Sequence, residues 1–154
     1  MAEIKVLARD WDIEIYDAVG EDWLEIGGIT SLTFSSDMTE AETTDFDSEG
    51  WAEHIPAERT KSLSVEGNYL EDEAGERDQG QEEVEEAAEL TGDDGLTPFY
   101  LESPNGGIQI AFLASVNMSD IGGDTNDPTS WGFDLIVSGD PHGEKADFSN
   151  GFGI

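Results

Sequence analysis

The stretch Pro98-Phe99-Tyr100-Leu101-Glu102-Ser103-Pro104-Asn105-Gly106-Gly107-Ile108-Gln109-Ile110-Ala111-Phe112-Leu113-Ala114-Ser115-Val116-Asn117-Met118 decides the fold. In its second arm Ile108, Ile110, Phe112, Ala114, Val116 and Met118 fall on one side of an extended chain, with Gln109, Ser115 and Asn117 opposite. A period of two is what a half-buried strand requires. Between the arms, Pro-Asn-Gly-Gly supplies residues that tolerate the positive φ of a tight turn, so the two arms read as an antiparallel hairpin.

The same alternation recurs on both sides. Downstream, after a Gly, Asp, Asn and Pro loop over 122–130, Trp131, Phe133, Leu135 and Val137 alternate with Gly132, Asp134, Ile136 and Ser138, and the pattern stops at Asp140-Pro141. Upstream, Trp11, Ile13 and Ile15 oppose Asp12 and Glu14, Trp23 to Ile26 resumes the pattern, and Thr30, Leu32 and Phe34 oppose Ser31, Thr33 and Ser35. Leu63, Val65 and Tyr69 oppose Ser62, Ser64, Glu66 and Asn68. Asp78 followed by Gln81 reads as a capping box for an amphipathic helix, with Val84, Ala87, Ala88 and Thr91 on one face and Gly92 to end it.

Seven strands and one short α-helix imply a mainly β domain: an antiparallel β-sandwich or partial barrel with a helix at one end and a long inter-strand loop. A chain of 154 residues suits one core, so 1–154 reads as a single domain. Its core spans 11–141, the long loop 36–60, where periodicity stops, and a C-terminal tail 142–154. A loop of that length in a compact domain is usually functional.

Asp and Glu number 37 against six basic residues, a formal net charge of -31. Such imbalance suits either a disordered chain or a folded one in concentrated salt. The alternating apolar runs and a hydrophobic content of 36% favour folding, with the charge outside. At about 1 M salt the Debye length falls to roughly 3 Å and self-repulsion is largely screened, which points to a salt-rich cytoplasm and the protein of a halophile.

Little in the chain suggests catalysis. Carboxylates are so abundant that a pair at glycosidase spacing carries no information. His54 and His142 stand in separate loops without a zinc-ligand partner, and there is no cysteine for a thiolate site or disulfide. Asp45-Phe46-Asp47-Ser48-Glu49-Gly50 matches the first half of a calcium loop, but its twelfth position is Pro56 in place of a bidentate Glu. Asp124-Thr125-Asn126-Asp127 begins similarly and lacks the closing carboxylate. Phosphate-loop and dinucleotide fingerprints are missing, and the charge repels nucleic acid. The expectation is a protein that is no enzyme, with no cofactor and no metal. No stretch reaches signal-peptide or membrane-span length, so a soluble product made in the cytoplasm is expected.

Three segments in order carry a resemblance: Gly28 to Ser35, the acidic Gly-Trp segment Asp45-Phe46-Asp47-Ser48-Glu49-Gly50-Trp51-Ala52-Glu53-His54-Ile55-Pro56, and the return strand Lys61 to Gly67. With the helix from Asp78 to Leu90, the hairpin and the closing strand Trp131 to Gly139, the arrangement resembles the major tail protein family of long-tailed double-stranded DNA viruses over Ile13 to Pro141. The resemblance implies a tail tube subunit in the virion. It would be assembled in the host cytoplasm as homohexameric rings that stack into a tube, meeting tape-measure, tail terminator and distal tail proteins. Double-stranded DNA would pass through without sequence-specific binding, and no membrane is involved. The assembly interface it implies comprises Asp45, Phe46, Asp47, Ser48, Glu49, Gly50, Trp51, His54, Ile55 and Pro56, on the long loop that would reach the neighbouring ring. Aromatics such as Phe46 and Trp51 are frequent interface anchors. The alternatives are a tube subunit of a secretion or contractile injection system, an acidic cation-dependent adhesion module, and a small glycosidase.

Overall fold

The computed structural model describes residues 5–7, 10–17, 20–42, 50–52 and 54–145. Each strand expected from the alternation forms: β1 (Asp12–Asp17), β2 (Asp22–Glu25), β3 (Ile29–Glu42), β4 (His54–Asn68), β5 (Thr97–Glu102), β6 (Gln109–Met118) and β7 (Ser130–Gly143). Helix α1 (Gln79–Ala88) lies between β4 and β5. The strands make one antiparallel seven-stranded sheet in the order β2-β1-β5-β6-β7-β4-β3.

That order dictates the sheet's shape. β2 and β3 lie at opposite edges, yet only Ile26, Gly27 and Gly28 connect them. In a flat sheet the edges would stand about 29 Å apart, whereas four Cα steps reach at most about 14 Å. The sheet therefore rolls until its edges approach at this corner, giving a partial barrel left open because β2 and β3 share no ladder.

Inside the roll, the alternate residues Ile13, Ile15, Leu63, Val65, Phe99, Leu101, Phe112, Ala114, Phe133 and Leu135 are sealed from solvent, with Trp131 among them. Phe99 lies between Phe112 and Phe133, its ring centroid 6.4 and 6.2 Å from theirs, within the range of favourable offset stacking. Helix α1 adds Val84 and Ala87 to the same cluster.

The helix is also sewn to the corner. Asp78 caps it, Oδ2 accepting from the Gln81 amide at 3.1 Å and from the Gly27 amide at 3.2 Å. Gln81 is fully buried. Its Nε2 donates to the carbonyls of Gly27 (3.0 Å) and Asn68 (2.8 Å), and its Oε1 accepts from the Leu70 amide (3.2 Å). The spacing anticipated a reciprocal box, but the Asp78 amide donates to Leu70 instead, because Gln81 is drawn to backbone groups that would otherwise be buried unpaired. Contact here is so close that Gly28 has φ +77°, and a Cβ on it would stand 2.4 Å from the Asn68 carbonyl.

Three boundaries differ from the sequence reading. The aperiodic segments over 36–42 and 54–60 are not loop; they extend β3 and β4 as a paired ribbon. Both faces of that ribbon are exposed, so no alternation was available to signal it. α1 ends at Ala88, with Thr91 exposed beyond it and Gly92 (φ +67°) opening a 3-10 turn, Gly92–Gly95, that leads into β5. β7 continues through Pro141 to Gly143, past its last contact with β4 at Ile136, where a proline breaks no ladder with β4.

Gln81→Ala leaves the Gly27 and Asn68 carbonyls and the Leu70 amide without their partner. A loss of about 2–4 kcal/mol is expected, read as a lower urea midpoint at unchanged slope in molar salt.

Candidate functional site

Two surfaces stand out, both built on β3 and β4. The first is the ribbon. The pairing of β4 with β7 begins at Ser62↔Ile136, so from Lys61 back to His54 the strand pairs with β3 alone. Described side chains from Ser36 to Glu40 and from Ile55 to Thr60 are exposed. A two-stranded ribbon without a packed face is marginal in water. Its register shifts between Thr39↔Glu58 and Glu40↔Pro56, leaving Ala57 as the extra residue of a bulge beside Pro56, which has no N–H to donate.

Of the residues expected at the assembly interface, Asp45, Phe46, Asp47, Ser48 and Glu49 lie outside the described residues. Gly50 adopts φ +85° and Trp51 beside it is 78% exposed. His54 pairs with Glu42, Ile55 with Ala41 and Pro56 with Glu40, all in the ribbon. Ile55 is 53% and Met38 48% exposed, so the ribbon and the segment at its tip present large apolar groups to solvent.

The second surface is the outer face of the sheet. Cross-strand register aligns Thr33, Ser64, Asp134 and Asn117 in one row across β3, β4, β7 and β6, and Ser35, Ser62, Ile136 and Ser115 in the next. Ser31 and Glu66 begin a further row. The polar faces of β3 and β4 were legible separately. Their continuation onto β6 and β7 was not, although the polar positions of those strands carried the signal.

Ser/Thr/Asn side chains dominate this face, with carboxylates at Glu66 and Asp134, and none of its rows carries a Lys or Arg. Among the described residues no group of three or more His, Asp or Glu is placed to hold a metal, and no helix is long and apolar enough to cross a membrane.

No protein family profile matches the chain, and no curated protein does. Solved structures do. One similar chain belongs to the tail of an empty gene transfer agent particle determined with helical refinement and C6 symmetry. The TM-score is 0.65 at 19% identity, covering 90% of this chain and 96% of that one. Another, in the virion of a native gene transfer agent particle, gives 0.61 at 17% identity over 92% and 98%. A third, in the six-fold symmetrised baseplate of the anti-feeding prophage, gives 0.58 at 12% identity over 90% and 94%. The chain thus has the fold of subunits in assembled tail particles, matched over nearly its whole length.

The other half of the outer face is carboxylate-rich. Partial desolvation raises the carboxyl of exposed Glu25 above its usual range, with Asp12, Glu14 and Asp78 adding to the shift, and burial raises that of half-buried Glu83, aided by Asp17 and Glu86. Lys145 offsets part of this charge, its Nζ 3.0 Å from both Glu14 oxygens and 4.3 Å from the Tyr100 ring centroid. A carboxyl whose folded pKa is raised binds more protons folded than unfolded, so its contribution to stability is present below the unfolded pKa and lost as pH rises through the folded one.

In dilute buffer the melting temperature is therefore expected to rise as pH falls from 7 toward 5, and Glu25→Gln at pH 7 to raise it by about 1–3 °C. Thermal scans in molar salt should show a smaller gain, because salt screens the repulsion from Asp12 and Glu14 while the desolvation cost remains.

Proposed function

We propose that the chain is a non-enzymatic structural subunit of a virion tail tube, six copies of which close into a ring and stack into a conduit for double-stranded DNA. One observation carries the reading: an exposed, polar sheet face without Lys or Arg in its rows, in register over β3, β4, β7 and β6, on a domain with the fold of tail-particle subunits. Facing a lumen, Glu66 and Asp134 would repel phosphates and the hydroxyl rows would offer no cation to hold them, so DNA could slide. The open edges at β2 and β3 need partners, which ring closure supplies. The six-fold symmetry of the similar assemblies supports the number six.

The ribbon, together with Asp45 to Pro56, acts as the arm that reaches the neighbouring ring, with Phe46, Trp51 and Ile55 as apolar anchors. Tape-measure, terminator and distal tail proteins meet the finished tube at its ends and inside it. The net charge of -31 suits a virus of a halophilic host. A second reading, a tube subunit of an injection system, draws on the likeness to the anti-feeding prophage baseplate.

Negative-stain imaging of the purified protein in molar salt should reveal hollow six-fold rings or tubes, and a monomer at every salt concentration sinks the proposal. Deleting Asp45 to Pro56, which also removes the three ribbon pairs at His54, Ile55 and Pro56, should keep the folded core sheet by circular dichroism with only a small loss of β signal, and abolish stacking. Ser64→Lys combined with Asn117→Lys should make tubes retain duplex DNA, with retention falling steeply as salt rises. Wild-type tubes that already retain DNA would show that this face does not line the lumen.

A further inference from the structure

Cations are scarce enough in this chain for their placement to carry information. Of the six, Arg77 is ion-paired to Glu85 and Lys145 to Glu14. Arg59 and Lys61 lie on the ribbon and make no ion pair with a described residue. Pairing of Ser36 with Lys61 and of Met38 with Arg59 sets both cations on one side of the ribbon, the side continuous with the core, where Lys61 stands 5.7 Å from the Phe34 ring centroid. Asp37 and Glu58 alternate to the other side, while Glu40 follows Met38 on the cationic side. The two cations, and Asp37 and Glu58 with them, also border an open cleft between the ribbon and the end of β7, lined by Val137, Gly139 and Pro141 among others.

The opposite need exists at the far end of the subunit. Glu82 and Glu86 on α1 and Glu89 at its C-cap are exposed, and the last turn of the helix contains no basic residue. Glu83 is half-buried beside Asp17 and Glu86. β3 starts at the corner sewn to α1, and Ser36 and Met38, which pair with Lys61 and Arg59, stand seven and nine residues along it, about 23 and 30 Å away. The cationic surface thus stands well along the strand pair from the corner that holds α1, too far for the two surfaces to meet within a subunit. Complementary patches so placed make a head-to-tail contact that propagates along an axis.

Resting on the tube reading above, we infer that the Met38, Arg59 and Lys61 side of the ribbon docks on the carboxylate face of α1 in a second copy of this chain, in the adjoining ring. Such pairs form at contact distance, within the roughly 3 Å Debye length of molar salt, so they survive where longer-range repulsion is screened. Duplex DNA is the less suitable occupant, because these cations lie on the side of β3 and β4 opposite the polar face.

The test uses the full-length chain in molar salt, with tubes and free rings counted by negative stain and sedimentation. R59E/K61E should keep the β circular dichroism and still form rings, while the fraction of rings in tubes falls at least about tenfold, as for reversal of close charge pairs. Adding E82K/E86K to that variant should restore stacking. R59Q/K61Q, which adds no new carboxylate, should shorten tubes in the same direction and covers the case in which the reversal misfolds. Normal tubes from R59E/K61E, or no restoration by the added E82K/E86K, overturns the inference. So does unchanged stacking with impaired DNA passage, which would assign the cations to nucleic acid. If the wild type forms no rings at all, the tube reading itself fails, a result distinct from rings that stack regardless of charge.

Discussion

Ile26, Gly27 and Gly28 carry the chain from one edge of the sheet to the other, and the buried amide of Gln81 holds that crossing in place. A link this short forces the sheet to roll, and the roll forms an interior for Phe99, Phe112 and Phe133. Gly27 gives its amide to Asp78 and its carbonyl to Gln81, Asn68 gives its amide to the Gly28 carbonyl, and Leu70 uses both of its backbone groups on the Asp78–Gln81 cap. Glycine is required because the backbones approach closely: a Cβ on Gly67 would stand 2.3 Å from the Gly28 carbonyl, and one on Gly80 at 2.3 Å from that of Glu25.

Fixing β3 at this corner leaves its other end free. The β3–β4 pair is anchored where it meets α1, supported by β7 as far as Ile136, and unsupported thereafter. An exposed ribbon with bare apolar groups at Met38, Ile55 and Trp51 is a poor solution for a monomer and a suitable one for a subunit whose neighbour supplies the missing face. The same strands give their other side to the polar face, so the ribbon and the polar face come from one pair of strands.

Charge follows a similar division. The apolar interior excludes carboxylates, which collect on the outer faces of β1 and β2 and on α1, where desolvation and mutual repulsion hold the Glu25 and Glu83 carboxyls above their usual range. Salt relieves the repulsive part of that cost at long range and leaves contact pairs intact. A strongly acidic chain can thus fold in concentrated salt by screening and still keep its contact ion pairs.

Periodicity alone made the seven strands, the helix and its Asp78 cap legible, since a strand that buries one face must alternate and a helix must satisfy its first amides. It could not reveal the ribbon, because residues exposed on both faces carry no alternation, nor the true partners of the Gln81 side chain, which lie 11, 13 and 54 residues away in sequence. Composition determined that the charge lies outside. Which strands became neighbours, and so which serines, threonines and asparagines merged into one face and which cations came together on one side of the ribbon, was decided only by the tertiary structure. Strand order and register are set by contacts between residues far apart in the chain, where no local pattern reaches.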